Sequence, residues 1–328
     1  MTATSLKALL GDKVAFVFPG QGSQAVGMGK DLYEASPAAR AVFDEADREL
    51  QFALSTLCFE GSAAELEDTF NAQPAILTVS LAALAALKEK AAAVGEMVAP
   101  LVVAGHSLGE FTALTAADVL DFKSALHLVR ERGRLMKEAG AERPGGMAAI
   151  VGLDEETLAA VCKASESEGI ITIANANCPG QTVISGEVRA LLRAMDLARE
   201  QGARRVARLG VSIASHSPLM GRVSSQLSDL VGKLPLGPPH IPVVGNVTGQ
   251  AITTVEGVRR ELAHHVERPV NWTRSVREMV DEGATTFVEL GPGQVLSGLI
   301  RRINRDVRTV GMQDLGLGTV STPAPGEA

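Results

Sequence analysis

Apolar positions along this chain fall into short unbroken runs that alternate with longer, periodic stretches. Val14 to Phe18 is entirely apolar and is stopped by Pro19-Gly20, which predicts a buried strand followed by a glycine-rich turn. Residues 36–52 and 74–94 carry apolar positions at helical spacing in an Ala/Leu/Glu-rich background and predict helices. A second short apolar run, 101–104, ends at Gly105, and 110–117 predicts the helix after it. Fully apolar strands alternating with helices predict an α/β fold with a mostly parallel sheet covered on both faces.

The stretch 147–211 has a rhythm of its own. An apolar run (147–152) leads to a helix opening at Asp154 with acidic residues in its first turn, then to strands near 170–175 and 181–185, a second helix (187–201) and a strand (204–209). That order, β-α-β-β-α-β, is the ferredoxin-like unit, which can fold as a compact insertion. The parent pattern resumes with 241–244, 255–266 and 286–290. The expected organisation is a discontinuous catalytic domain (1–144 and 212–313), a ferredoxin-like insertion (145–211) and, from the Gly/Pro/Ser/Thr content of 314–328, a disordered tail.

Composition supports a folded chain: 328 residues, 46% hydrophobic and 3% aromatic, provide a large aliphatic core and exclude a disordered or collagen-like protein. The net charge of −7, with no basic run longer than Arg204-Arg205 or Arg259-Arg260, gives no footprint for nucleic acid or an anionic membrane. Three widely spaced cysteines, Cys58, Cys162 and Cys178, form neither a disulfide framework nor a Cys-x-x-Cys metal knot. No basic start with an apolar core and cleavage site opens the chain, and nowhere do 18 apolar residues run consecutively. The expectation is a cytoplasmic protein with no membrane span.

Gly105-His106-Ser107-Leu108-Gly109 follows a predicted strand and precedes a predicted helix, the setting of a nucleophile elbow. The glycines permit a tight turn that exposes Ser107 Oγ, and the N–H of Leu108 points to where an oxyanion would develop. The plainer alternative makes Ser107 a helix N-cap between two turn glycines. A serine nucleophile needs a base, usually histidine. Of the six histidines, His106 lies on the turn itself and His127 within an amphipathic helix. His216 stands at the end of the β-like run Val211-Ser-Ile-Ala-Ser-His216, where the chain re-enters the parent domain and a base is expected.

Phe18-Pro-Gly-Gln-Gly-Ser-Gln24, Asn71-Ala-Gln-Pro-Ala75, Gly105-His-Ser-Leu-Gly-Glu110, Ser215-His216 and Gly291-Pro-Gly293 together resemble the malonyl-CoA:acyl carrier protein transacylase family, in order and spacing, from about residue 14 to 303. The resemblance implies an α/β-hydrolase-like large domain carrying a ferredoxin-like small one. It implies that Ser107 attacks the malonyl thioester and that His216 is the general base and then the general acid, a dyad in ping-pong kinetics. It further implies Arg132 as the clamp on the malonyl carboxylate, Gln21 and Leu108 as oxyanion donors through their backbone N–H groups, and Gln73, Asn175, Asn177 and Ser215 as pocket residues. Outside the resemblance, Arg132 in Arg130-Glu-Arg-Gly-Arg134 reads as a solvated helix residue, and the amides as turn chemistry. His265 stands where the family often has Gln or Asn, a position whose main-chain carbonyl orients the catalytic histidine. The implied partners are malonyl-CoA and an acidic acyl carrier protein, which Arg204, Arg205 and Arg208 would steer. A monomer without metal or cofactor is expected.

Rival readings carry less. Gly20-x-Gly22-x-x-Ala25 fits a dinucleotide fingerprint with Asp44 about twenty residues on, yet 36–50 reads as helix where a second strand should end in the acid. His264-His265 lacks a helix-spaced third metal ligand. An esterase or thioesterase on the same elbow would need an acid between serine and histidine in the chain, where Asp154, Glu155 and Glu156 lie at the start of the insertion's helix. A non-catalytic scaffold conflicts with intact Ser107, His216 and Arg132. At Leu108 and Ser215 the chain resembles the stand-alone transacylases of fatty-acid synthesis, which favours malonyl; the alternative is methylmalonyl, because serine before the histidine also occurs in methylmalonyl-selecting polyketide domains.

Overall fold

The computed structural model describes residues 5–318. β1 (Val14–Phe18) and β2 (Val102–Gly105) open the larger of two sheets, β3 (Gly145–Val151), β4 (Ile171–Cys178), β5 (Gln181–Glu187) and β6 (Arg205–Arg208) form the smaller, and β7 (Val243–Val244), β8 (Ala251–Ile252), β9 (Thr286–Glu289) and β10 (Arg308–Val310) return to the larger. The larger sheet has the order β10-β9-β1-β2-β7-β8, parallel throughout except for the β7–β8 pair.

The longer helices are α1 (Pro37–Leu50), α2 (Thr69–Ala93), α3 (Gly109–Ala116), α4 (Phe122–Glu142), α5 (Glu155–Ser165), α6 (Val188–Glu200), α7 (Gly221–Lys233), α8 (Val255–His264), α9 (Trp272–Asp281) and α10 (Val295–Ile303). Alternation along β1 assigns its two faces: Phe16 and Phe18 pack with Phe43, Ile76 and Leu126, while Ala15 and Val17 pack with Trp272, Met279 and Ile300. Both faces are therefore covered, which is why these strands read as unbroken apolar runs.

α2 begins five residues before the predicted position 74. Asp68 caps it by accepting the Phe70 N–H at 3.0 Å, and Pro74 sits inside the helix, where its ring forgoes one backbone hydrogen bond. A proline at a helix start is the commoner arrangement, and the sequence favours it here. Burial outweighs the lost bond: 83% of the most apolar stretch of α2 is covered, with α1 and α4 packed along it. Length and composition alone would suit such a helix to a membrane.

The smaller sheet has the order β4-β5-β3-β6, antiparallel at every pair, with α5 and α6 packed on it around Ile150, Leu158, Ile184 and Leu191. This is the ferredoxin-like arrangement. β4 runs on to Cys178 and ties the two sheets together, since the Ala176 N–H donates to Val270 O and the Val270 N–H to Ala174 O. Two expectations are corrected. Residues 211–215 form no strand, because the chain turns away from β6 to enter the cleft. Residues 314–318 are not a free tail, because Leu315 and Leu317 are buried in the main core. Positions 319–328 of the expected tail lie outside the described residues.

Candidate active site

β2 ends at Gly105 and α3 begins at Gly109, so the chain reverses within three residues. The turn admits no side chain at either glycine: a Cβ on Gly105 would stand 1.9 Å from the backbone of Gly109, and one on Gly109 would stand 2.0 Å from Phe18 O. Ser107 itself adopts φ +48°, a left-handed conformation that a non-glycine residue holds only when its surroundings impose it. Parallel pairing of Phe18 with Gly105 brings the Pro19-Gly20-Gln21 loop alongside, with His106 N–H donating to Phe18 O at 3.0 Å. The elbow thus stands at the carboxyl edge of the sheet, where open α/β folds place their ligands.

His216 reaches this corner from the segment after β6. It too is left-handed, at φ +56°, and its N–H donates to Val266 O at 2.8 Å. Its Nδ1 lies 3.1 Å from Arg268 O. A carbonyl only accepts, so the Nδ1 carries the proton and the bare Nε2, 2.9 Å from Ser107 Oγ, accepts the serine hydroxyl's hydrogen bond. The sequence reading placed the orienting carbonyl at His265. The carbonyl in bonding distance is that of Arg268, three residues on, and the His265 carbonyl pulls in the same direction without replacing it.

Arg132 lies on α4 and is 2% exposed, not solvated as its charged run suggested. Gly133 explains its depth, because a Cβ there would stand 2.5 Å from Thr69 O, so α4 presses directly on the start of α2. Arg132 Nη1 donates to Gln73 Oε1 at 2.8 Å and Nη2 to Ser107 Oγ at 3.0 Å, while Nε has no partner. Gln73 donates to Thr69 Oγ1 at 2.9 Å, and Thr69 to Gln21 Oε1 at 2.9 Å, so one chain of hydrogen bonds runs from the first loop to the nucleophile.

Burial governs the charges. It pushes His216 down to about 3, with Arg132 and then His106 acting in the same sense, so the imidazole is neutral at physiological pH. His265 and His106 are lowered first by burial as well. Arg132 falls to about 10 for the same reason, and the nearby Glu110 opposes the fall. Glu110 in turn is raised by burial and by Glu261. A guanidinium at about 10 keeps its charge, whereas Glu110 is pushed toward the neutral form.

A cavity of about 460 Å³ opens over this corner between the two sheets. Gln21, His106, Ser107, Arg132, Asn175, Ser215 and His216 line it, together with Met136, Met147, Leu209, Val211 and Ile213. Asn175 offers a buried Oδ1 with no partner. Gln73 and Asn177 do not line it: Gln73 holds Arg132 and Asn177 holds His106, whose Nε2 is 2.9 Å from its Oδ1. Both were expected in the wall, but their elements place them one layer behind it. His265 is also behind, 1% exposed, with its Nε2 3.6 Å from Glu110 Oε2. Leu108 is fully buried and its side chain does not line the cavity. Arg205 and Arg208 reach the cavity from β6, whereas Arg204 does not. Among the described residues no group of three or more His, Cys, Asp or Glu side chains could hold a metal ion.

Sequence reasoning missed Asn246, fully buried just beyond β7. Its Oδ1 accepts the Ser107 N–H at 2.6 Å and its Nδ2 donates to Gly105 O at 2.7 Å. A polar amide directly after a buried strand, at the edge where the elbow opens, is the signal that could have found it. Arg268 and Thr69 were missed because their parts are played by a carbonyl and by a relay hydroxyl.

The acyl transferase domain family matches residues 15–315. The malonyl CoA-acyl carrier protein transacylase of Bacillus subtilis is 45% identical over 303 residues, which cover 92% of this chain and 94% of that protein, and the one of Haemophilus influenzae is 41% identical with 92% and 96% covered. Among solved structures, an acyl carrier protein S-malonyltransferase from Vibrio cholerae superposes with a TM-score of 0.86 at 40% identity, covering 92% of this chain and 96% of that one. A malonyl-transacylase in complex with its type II PKS acyl-carrier protein superposes with a TM-score of 0.88 at 39% identity, covering 93% and 97%. With an elbow serine, a histidine and a buried arginine converging at one corner of a fold shared along nearly its whole length, the chain belongs to the malonyl CoA-acyl carrier protein transacylase family of acyl transferases.

Proposed function

We propose that this chain transfers a malonyl group from malonyl-CoA to the phosphopantetheine thiol of an acyl carrier protein through an ester on Ser107. One observation carries the reading. The Nε–Nη2 edge of Arg132 is buried, charged and 3.0 Å from the nucleophile, with Nε unpaired, and a free carboxylate on the acyl group fits it bidentately.

In the first half-reaction Ser107 Oγ attacks the thioester carbonyl and its proton passes to His216 Nε2. The C–S bond breaks and the leaving thiolate takes that proton back. The backbone N–H groups of Leu108 and Gln21 stabilise the tetrahedral oxyanion. In the second half the carrier thiol gives its proton to His216 and attacks the seryl ester; the C–O bond to Ser107 breaks and His216 returns the proton to Ser107 Oγ. A simple esterase has no use for the Arg132 edge, and a carbonyl rather than a carboxylate faces His216 Nδ1, so the hydrolase reading lacks its third member. Arg205 and Arg208 line the cavity with no ion-pair partner among the described residues, and they are the groups that would steer an acidic carrier. A cytoplasmic monomer, as expected from the sequence, is part of the proposal.

Intact mass after brief mixing with malonyl-CoA tests the reading. A malonyl-sized increment is expected on the wild type, absent in Ser107→Ala, and passed on when holo acyl carrier protein is added. An adduct that decays to free malonate equally fast without carrier would indicate a hydrolase, and an adduct formed only from methylmalonyl-CoA would move the acyl preference.

A further inference from the structure

We infer that Asn246 is a positioning residue that holds Ser107 in its reactive geometry by clamping the backbone on either side of His106. Its side-chain amide closes a ring over the turn, accepting the Ser107 N–H at 2.6 Å and donating to Gly105 O at 2.7 Å. Its own backbone is fixed as firmly, since its N–H donates to Glu110 Oε2 at 2.9 Å and its carbonyl accepts the Asn271 N–H at 2.8 Å. Asn246 is fully buried with each of these groups paired.

The clamp answers a specific need. Left-handed backbone at Ser107 is disfavoured for a residue with a Cβ, and the Ser107 N–H and Gly105 carbonyl on either side of His106 need partners in this buried turn. A primary amide presents one donor and one acceptor in a single plane and satisfies both. Ser107 Oγ must meet His216 Nε2 at 2.9 Å and Arg132 Nη2 at 3.0 Å from different sides, so a small rotation of Ser107 loses both. The clamp also occupies the Ser107 N–H, which leaves oxyanion binding to other backbone donors.

This inference rests on the transacylase reading, and its test separates the two. Wild type, Asn246→Ala, Asn246→Asp and Ser275→Ala are compared. Ser275 is a buried neighbour that donates to Gly245 O at 3.2 Å without touching the elbow, so its variant reports a lost hydrogen bond in the same region. For Asn246→Ala the expected result is a folded protein with kcat lowered about 100-fold, a misplacement-sized loss. KM for malonyl-CoA should stay near wild type, and ester formation and carrier transfer should slow by the same factor. Ser275→Ala should lower Tm and keep kcat. Asn246→Asp keeps the acceptor for Ser107 but sets a carboxylate against Gly105 O, so its rate should recover toward acid pH as protonation restores the donor. That variant also carries the test if Asn246→Ala fails to fold. Labelling of Ser107 by a fluorophosphonate, which needs no acyl substrate, should slow in parallel. Should wild type form no malonyl ester, the transacylase reading falls while the labelling comparison still judges Asn246. Wild-type kcat and labelling in a folded Asn246→Ala, or equal loss of kcat in Ser275→Ala, would overturn the inference.

Discussion

Two left-handed residues that are not glycine, Ser107 and His216, face each other across 2.9 Å, and the protein maintains both against their conformational preference. At this scale charge is set by burial more than by pairing. With His216 lowered to about 3, its Nε2 is bare through the neutral range, so the rate of seryl-ester formation should be flat from pH 8 down to about 5 and decline only toward more acid values as Nε2 takes a proton. Arg132 is the second cause of that lowering. Arg132→Ala should therefore move the acid limb to higher pH as well as weaken malonyl binding, which single-turnover quench measurements across pH would show. The site residues legible in the sequence were those whose side chains react or carry charge. Arg268 was not, because it acts through a carbonyl that every residue has.

β2, the elbow and α3 form one device, and its tolerance is set by backbone approach. A methyl group at Gly109 would stand 2.0 Å from Phe18 O, so no rotamer change relieves it and β1 must move away from α3. Gly109→Ala should cost more than about 3 kcal/mol, read as a drop in the urea midpoint or as failure to accumulate folded protein. Element types were largely legible because the strands are apolar on both faces and the insertion's periods switch cleanly between helix and strand. The misses were boundaries governed by other parts of the molecule. α2 extends through Pro74 because tertiary burial offsets the missing bond, and the alternating Val211 and Ile213 line the cavity rather than marking a strand in a sheet.

In the whole molecule, the cavity exists only where the smaller sheet leans on the larger, and the bridge from β4 to Val270 fixes that approach. We propose that residues 145–211 form a unit with its own core around Ile150, Leu158, Ile184 and Leu191. Native-state hydrogen exchange should find the amides of β3, β4 and β5 opening together at lower free energy than those of β1 and β2, whose core is far larger. Buried histidines add a pH dependence to global stability. His265 is lowered well below its ordinary 6.5, so the folded state resists a proton that the unfolded state accepts. The stability owed to its neutral form is full above pH 6.5 and is lost as pH falls below it. The stability advantage of wild type over the non-titrating His265→Gln should thus shrink by about 1 kcal/mol per pH unit between 6.5 and 5, measured by denaturant titration.

The chain's own order of residues determined the parallel sheet, the inserted β-α-β-β-α-β unit and the elbow, because strand burial, helical period and turn glycines are local properties written in consecutive positions. It also marked Ser107 and His216, whose neighbours are distinctive, and through the family resemblance Arg132. The tertiary structure alone decided which carbonyl orients His216, that Arg132 is buried with its Nε unpaired beside the nucleophile, that Gln73 and Asn177 support the wall instead of forming it, and that Asn246 closes over the turn. Those relations join residues as much as 141 positions apart. They depend on how closely helices and sheets approach one another, a quantity fixed by the packing of the whole core rather than by any segment within it.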